Sequence, residues 1–149
     1  MFFIPCKHLT HVTLKQHAGT HTEIIGRVWK ENRDAVATLF RIFLRELRAT
    51  APRLYENKFP FALAAFCDGG RHRSLAVLCM LQYCLWSDGF NIDPRLWCLN
   101  EPQWDPDQCL CERASAFCKH CDFKVSERDD NYWGDILSVY REQRAHVMY

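Results

Sequence analysis

Phe61-Ala62-Leu63-Ala64-Ala65-Phe66 runs into Cys67-Asp68-Gly69-Gly70-Arg71-His72-Arg73-Ser74 and then into Leu75-Ala76-Val77-Leu78-Cys79-Met80-Leu81. The first stretch is apolar at every position, so it reads as a strand covered on both faces. The third has the composition of a helix, which continues to Trp86 and stops at Asp88-Gly89. A strand, a turn with paired glycines and a helix start make an anion cradle, because unpaired amides and the positive end of the helix dipole converge there.

Downstream, Pro94 is followed by Arg95-Leu96-Trp97-Cys98-Leu99, which reads as a second strand. Strand, helix and strand in that order predict a right-handed crossover with parallel strands. Upstream, Val36, Leu39, Phe40, Phe43, Leu44 and Leu47 recur at helical spacing and predict an amphipathic helix over 31–49. Asn32 or Asp34 is placed to cap it, and Pro52 to end it. Its other face carries Arg41, Arg45 and Arg48, a row that reads as solvated surface more readily than as a contact for phosphate or nucleic acid, since Glu46 interrupts it. A last helix is expected from about Asp130, with Trp133, Ile136, Leu137 and Tyr140 on one face. The fold class expected is α/β: a small, mostly parallel sheet covered by helices, with a strand–loop–helix anion site. One domain is expected over 1–149, with a core at about 20–99 and a loop-rich cysteine region plus helix over 100–149.

The chain has 149 residues, 48% hydrophobic and 25% charged, enough to bury a real core. Its net charge of +1 does not by itself call for nucleic acid or an anionic membrane. The longest apolar run, Leu75 to Trp86, falls short of the roughly 18 to 20 residues that span a bilayer, and Gln82 interrupts it. Nine cysteines, an odd number placed mostly in helix-like and motif positions, point to a reducing intracellular compartment rather than to a disulfide framework. The start, Met1 to Lys7, is a poor secretory signal, while an organellar leader stays open. His8, His11, His17 and His21 show no recurring ligand spacing and read as ordinary histidines, although they could reach the anion loop.

The loop admits chemistry as well as binding. Cys67, Gly70, Arg73 and Ser74 fit the C-x-x-G-x-x-R-[S/T] pattern of cysteine-dependent phosphatases. In that reading the loop amides favour a Cys67 thiolate, which attacks phosphorus, and the Arg73 fork holds the transition-state charge. Phe66 stands where many such enzymes carry histidine. A general acid must come from elsewhere, with Asp105 the first candidate and Asp93 the next.

Cys67-Asp68-Gly69-Gly70-Arg71-His72-Arg73-Ser74 also resembles the C-x-G-G-[K/R]-H-R-S loop of the C-terminal domain family of the bacterial RNase adapter RapZ. The paired glycines and the His-Arg-Ser ending match, and a weaker likeness runs from about Thr20 to Leu99. The resemblance implies a non-catalytic α/β domain that binds a phosphosugar, glucosamine 6-phosphate, and works as an oligomeric adapter for RNA-processing machinery. By position it implies that Gly69, Gly70, His72, Arg73 and Ser74 line a phosphate site, with Cys67, Asp68 and Arg71 completing the loop. Asp68 stands where the family has a small hydroxyl residue, and no G-x-x-x-x-G-K-[S/T] motif occurs in the chain.

Cys109, Cys111, Cys118 and Cys121 pair as C-x-C and C-x-x-C, which can present four thiolates to one tetrahedral zinc. A structural zinc would staple a region with few apolar residues; four free thiols are the other reading. Cys6, Cys79, Cys84 and Cys98 sit in apolar settings and read as core.

Three functions follow. The first, preferred here, is a module that binds a phosphate-containing small molecule and acts as a sensor or adapter toward a protein or RNA partner, as a homo-oligomer or a subunit of a larger complex. The second is a phosphatase using Cys67, Arg73 and Asp105. The third is a structural subunit whose anion loop serves only folding.

Overall fold

The computed structural model describes residues 2–3, 19–57, 65–66, 72–92 and 131–148. The expected helix over 31–49 lies inside a much longer one, α1 (Thr22–Asn57), of 36 residues. Ahead of it Ile24, Ile25, Val28 and Trp29 form a buried stripe of their own. The two stripes meet at Asn32, which leaves helical geometry at φ −135° and ψ 26°. Its side-chain amide donates to the Val28 carbonyl at 3.1 Å. Asn32 therefore marks a kink at which two helical segments join, the second being the one expected from the sequence, and Asp34 lies within that second segment. Pro52 also lies inside α1. It removes the bond its missing N–H would have made to the Arg48 carbonyl, and the helix continues past it.

The second helix, α2 (Arg73–Ser87), ends where the sequence signals it. Gly89 takes φ 81°, the left-handed geometry that a side chain would strain. Its N–H donates to the Trp86 carbonyl at 3.0 Å and the Phe90 N–H to Leu85 at 3.0 Å, the paired bonds of a Schellman ending. Residues on almost every side of α2 are buried, Leu75, Ala76, Cys79, Met80 and Cys84 among them. The third helix, α3 (Asn131–Met148), buries Trp133, Ile136 and Tyr140 as its periodicity requires, with Leu137 partly buried.

Contacts between α1 and α3 ascend both segments together. The Tyr132 hydroxyl donates to the Thr22 carbonyl at 3.0 Å, and the Trp29 indole N–H donates to Asp135 Oδ2 at 3.0 Å. Further along, Phe40 meets Tyr140 edge to face with centroids 5.7 Å apart, and Arg48 donates to the Val147 carbonyl. The two helices thus run in the same direction. Helix α2 joins them through the Tyr83 ring, 4.7 Å from that of Trp133, and through Asp88, which accepts from Arg144 at 2.5 Å and from Arg141 at 3.2 Å.

The only strand pairing among the described residues is a parallel ladder of two residues on each side, β1 (Phe2–Phe3) with β2 (Ala65–Phe66). The expectation of an α/β fold is therefore corrected: three helices make up most of the described chain, and the fold is helical. The physical reason lies in the apolar faces. Those of α1, α2 and α3 pack on one another in a single buried cluster that runs from Ile24 to Val147. Residues 61–64 and the second expected strand, 95–99, lie outside the described residues, as does Asp130.

The Asp88 clasp should be measurable. The carboxylate is 5% exposed, whereas Arg141 and Arg144 are 55% and 39% exposed, so solvent screens much of the attraction. Asp88→Ala is expected to cost about 1 kcal/mol, from two lost charged hydrogen bonds partly replaced by water. Urea denaturation would register this as a lower midpoint with unchanged slope. No loss at all would show that the clasp is neutral.

Candidate anion site at two helix starts

The turn Gly19–Thr20 brings the chain into α1, and it lies against the start of α2. A Cβ on Gly19 would stand 2.1 Å from the His72 carbonyl oxygen and 2.7 Å from the Leu75 Cβ. That carbonyl is engaged in the first turn of α2, accepting from the Ala76 N–H at 2.9 Å. Only glycine fits here, for want of space. Thr20 and His21 follow, at 1% and 7% exposure. His21 caps α1: its Nδ1 accepts from the Glu23 N–H at 3.1 Å, so in the neutral ring the proton is on Nε2.

At the neighbouring start of α2, Arg73 and Ser74 are the first two helical residues and are 5% and 4% exposed. No acidic side chain stands in that first turn, and the His72 side chain does not cap it. The first amides of a helix have no partner within it, and the dipole is positive at that end. A buried guanidinium adds to this field. Helix-start amides and the positive dipole end are the features by which proteins commonly hold a tetrahedral anion.

Of the loop residues expected to line a phosphate site, His72, Arg73 and Ser74 are together at the α2 start, while Cys67, Asp68, Gly69, Gly70 and Arg71 lie outside the described residues. Asp93 and Asp105 also lie outside them, as do Cys109, Cys111, Cys118 and Cys121 and the zinc they were expected to bind. Among the described residues no three His, Cys, Asp or Glu side chains are grouped so that they could hold a metal. Cys79 and Cys84 are fully buried, as read from their apolar settings, and burial, with Asp88 nearby, pushes the Cys84 thiol far above its usual range. Arg41, Arg45 and Arg48 are exposed, as a solvated row would be. No helix among the described residues is long and apolar enough to cross a membrane.

The close approach of Gly19 to the α2 start carries no mark in the sequence analysis, which singles out only His21 of this turn as able to reach the loop. The available signal was Gly-Thr-His-Thr-Glu ahead of two isoleucines, a small residue and hydroxyls leading into an acidic first turn.

An open groove of about 700 Å³ lies between α1 and α3. Its charges are largely engaged. Arg27 pairs with Glu23 at 2.8 Å, and Arg33 pairs with Asp135 at 3.0 Å while lying 5.6 Å from the centre of the Trp29 ring. The Arg33 hydrogen bond holds the Asp135 carboxyl below its ordinary range. Gly26 leaves room for Tyr132, whose ring would be 3.1 Å from an added Cβ. These contacts lock α1 to α3.

No protein-family model, curated protein or solved structure matches the chain.

Proposed function

We propose that the protein is a non-catalytic module that binds phosphate or a phosphosugar and acts as a sensor or adapter. The observation that supports this reading is the burial of Arg73 and Ser74 in the first turn of α2, a turn that itself carries no acidic side chain. The anion would sit over the amides of that turn, gripped by the Arg73 fork, with Ser74 as a further donor and Gly69-Gly70 allowing close backbone approach. The loop's likeness to the RapZ phosphosugar loop supports the same assignment and names the sugar phosphate to try first. Cys67 has no required part in holding the anion, which separates this reading from a phosphatase.

Thermal unfolding with and without ligand tests it, because an anion bound only by the native state must raise stability, by about 2.7 kcal/mol at a hundredfold excess over Kd. For a domain of this size that is roughly 5–10 °C in Tm. Inorganic phosphate and glucosamine 6-phosphate are expected to raise Tm in the wild type and in Cys67→Ala, and to lose the effect in Arg73→Ala. No shift with either anion at millimolar concentration sinks the proposal. Turnover of an aryl phosphate that disappears in Cys67→Ser would replace binding with catalysis.

A further inference from the structure

The groove between α1 and α3 carries one charge that nothing among the described residues balances. Arg27, Lys30 and Arg33 recur every three residues along α1, and all of them line it. Two carboxylates stand with them, and both are taken. Glu23 pairs with Arg27 at 2.8 Å, and Asp135 pairs with Arg33 at 3.0 Å while accepting from the Trp29 indole N–H at 3.0 Å. Three cations against two carboxylates leave one positive charge, and it falls on Lys30, which is exposed and has no ion pair among the described residues. Around these charges the groove is mainly apolar, with the Tyr132 ring filling the room that Gly26 leaves and the Arg33 guanidinium beside the Trp29 ring.

We propose that this groove binds a small aromatic carboxylate, its ring beside Gly26 and Tyr132 and its carboxylate accepting from the Lys30 ammonium. A volume of about 700 Å³ is that of a small-molecule site, and a mainly apolar lining with a single unmatched polar group is the usual composition of one. Charge selects the class. A monoanion balances the one unmatched cation, a second negative charge would find Arg27 and Arg33 already engaged, and a cationic ligand would meet Lys30 as a like charge. The lining residues come from α1 and α3 alone, so the proposal does not rest on the anion-binding reading of the α2 start.

Naphthoate is the probe, with naphthylmethanol and naphthylmethylamine as its neutral and cationic counterparts and binding followed by saturation-transfer NMR titration. Naphthoate should bind the wild type more tightly than either counterpart. Lys30→Met should weaken naphthoate about fivefold, the scale of one exposed ion pair, and leave naphthylmethanol unchanged. Lys30→Glu should reverse the order, so that naphthylmethylamine binds best. Lys30 is exposed, so both variants keep the fold. Inorganic phosphate should not compete, and naphthoate binding should persist in Arg73→Ala. No naphthoate binding at millimolar concentration, or equal binding in the wild type, Lys30→Met and Lys30→Glu, overturns the proposal. Naphthylmethanol binding the wild type as tightly as naphthoate overturns the carboxylate assignment, and decanoate doing so overturns the aromatic one. Displacement of naphthoate by phosphate, with loss of binding in Arg73→Ala, places it at the α2 start and overturns the groove while leaving the anion reading intact.

Discussion

Gly19→Ala should be among the most damaging single-methyl changes in the described chain. The added carbon would stand 2.1 Å from the His72 carbonyl oxygen, inside any van der Waals contact, and 2.7 Å from the Leu75 Cβ. Neither neighbour is the end of a flexible side chain. The carbonyl is fixed by its bond to the Ala76 N–H at 2.9 Å, so relief requires the turn and the α2 start to move apart. Overpacking of this kind costs typically 1–3 kcal/mol, and contact with fixed backbone puts this case near about 3 kcal/mol. Tm should drop by roughly 6–12 °C. Gly134 is the control. A Cβ there meets nothing within 4 Å, and the residue lies inside α3, so Gly134→Ala should raise stability by about 0.5–1 kcal/mol. Equal effects at the two glycines would refute the close approach of the Gly19 turn to α2. Because the Gly19 turn lies against the α2 start, Gly19→Ala should also weaken any phosphate-dependent rise in Tm.

How much of this was legible beforehand differs from element to element. The end of α2 was readable from Asp88-Gly89, because a left-handed residue closing a helix is a local matter that glycine satisfies by itself. The buried face of α3 was readable from the spacing of Trp133, Ile136 and Tyr140, since one apolar stripe on an otherwise polar helix has only one way to face the core. The length of α1 was not. Asn32 and Pro52 carry the local signals of helix ends; the geometry does break at Asn32, where two helical segments join at a kink, whereas at Pro52 the helix continues, its apolar face held in the common core. The fold is helical rather than α/β for a related reason. A short apolar run such as 61–66 is ambiguous between a buried strand and a buried helical segment, and element order alone does not establish a crossover. At Ala65–Phe66 the pairing partner is Phe2–Phe3, remote in sequence and marked by no periodicity of its own.

The site was half legible, with the same division between local and remote. His72, Arg73 and Ser74 stood out as residues opening a helix, and they do open α2. Gly19 meets them only through the tertiary contact between two helix starts separated by more than the length of α1. No local pattern encodes that approach, and a lone glycine among histidines and threonines has many explanations. The single fact that identifies its purpose is the missing space beside the His72 carbonyl.

Trp133→Ala should exceed even Gly19→Ala in cost. The indole is 1% exposed and lies where α2 and α3 meet, with its ring centre 4.7 Å from that of Tyr83 and 5.3 Å from that of Tyr132. Truncating a buried tryptophan loses its transfer free energy and leaves a cavity that neighbouring helices fill only in part, about 3–5 kcal/mol in all. A domain of this size has roughly 5–15 kcal/mol to lose, so the urea midpoint should fall by about a fifth or more. Tyr140→Phe tests whether size or polarity governs this core. Tyr140 is fully buried, its hydroxyl has no partner among the described residues, and burial, with Asp88 nearby, pushes the phenol far above its ordinary range. Removing that oxygen leaves the ring packed edge to face on Phe40, and stability should rise by about 1 kcal/mol. A loss in Tyr140→Phe would mean that the hydroxyl is satisfied in solution, by water or by a group outside the described residues. A loss in Trp133→Ala below about 1 kcal/mol would mean that α2 and α3 are not held together through this ring.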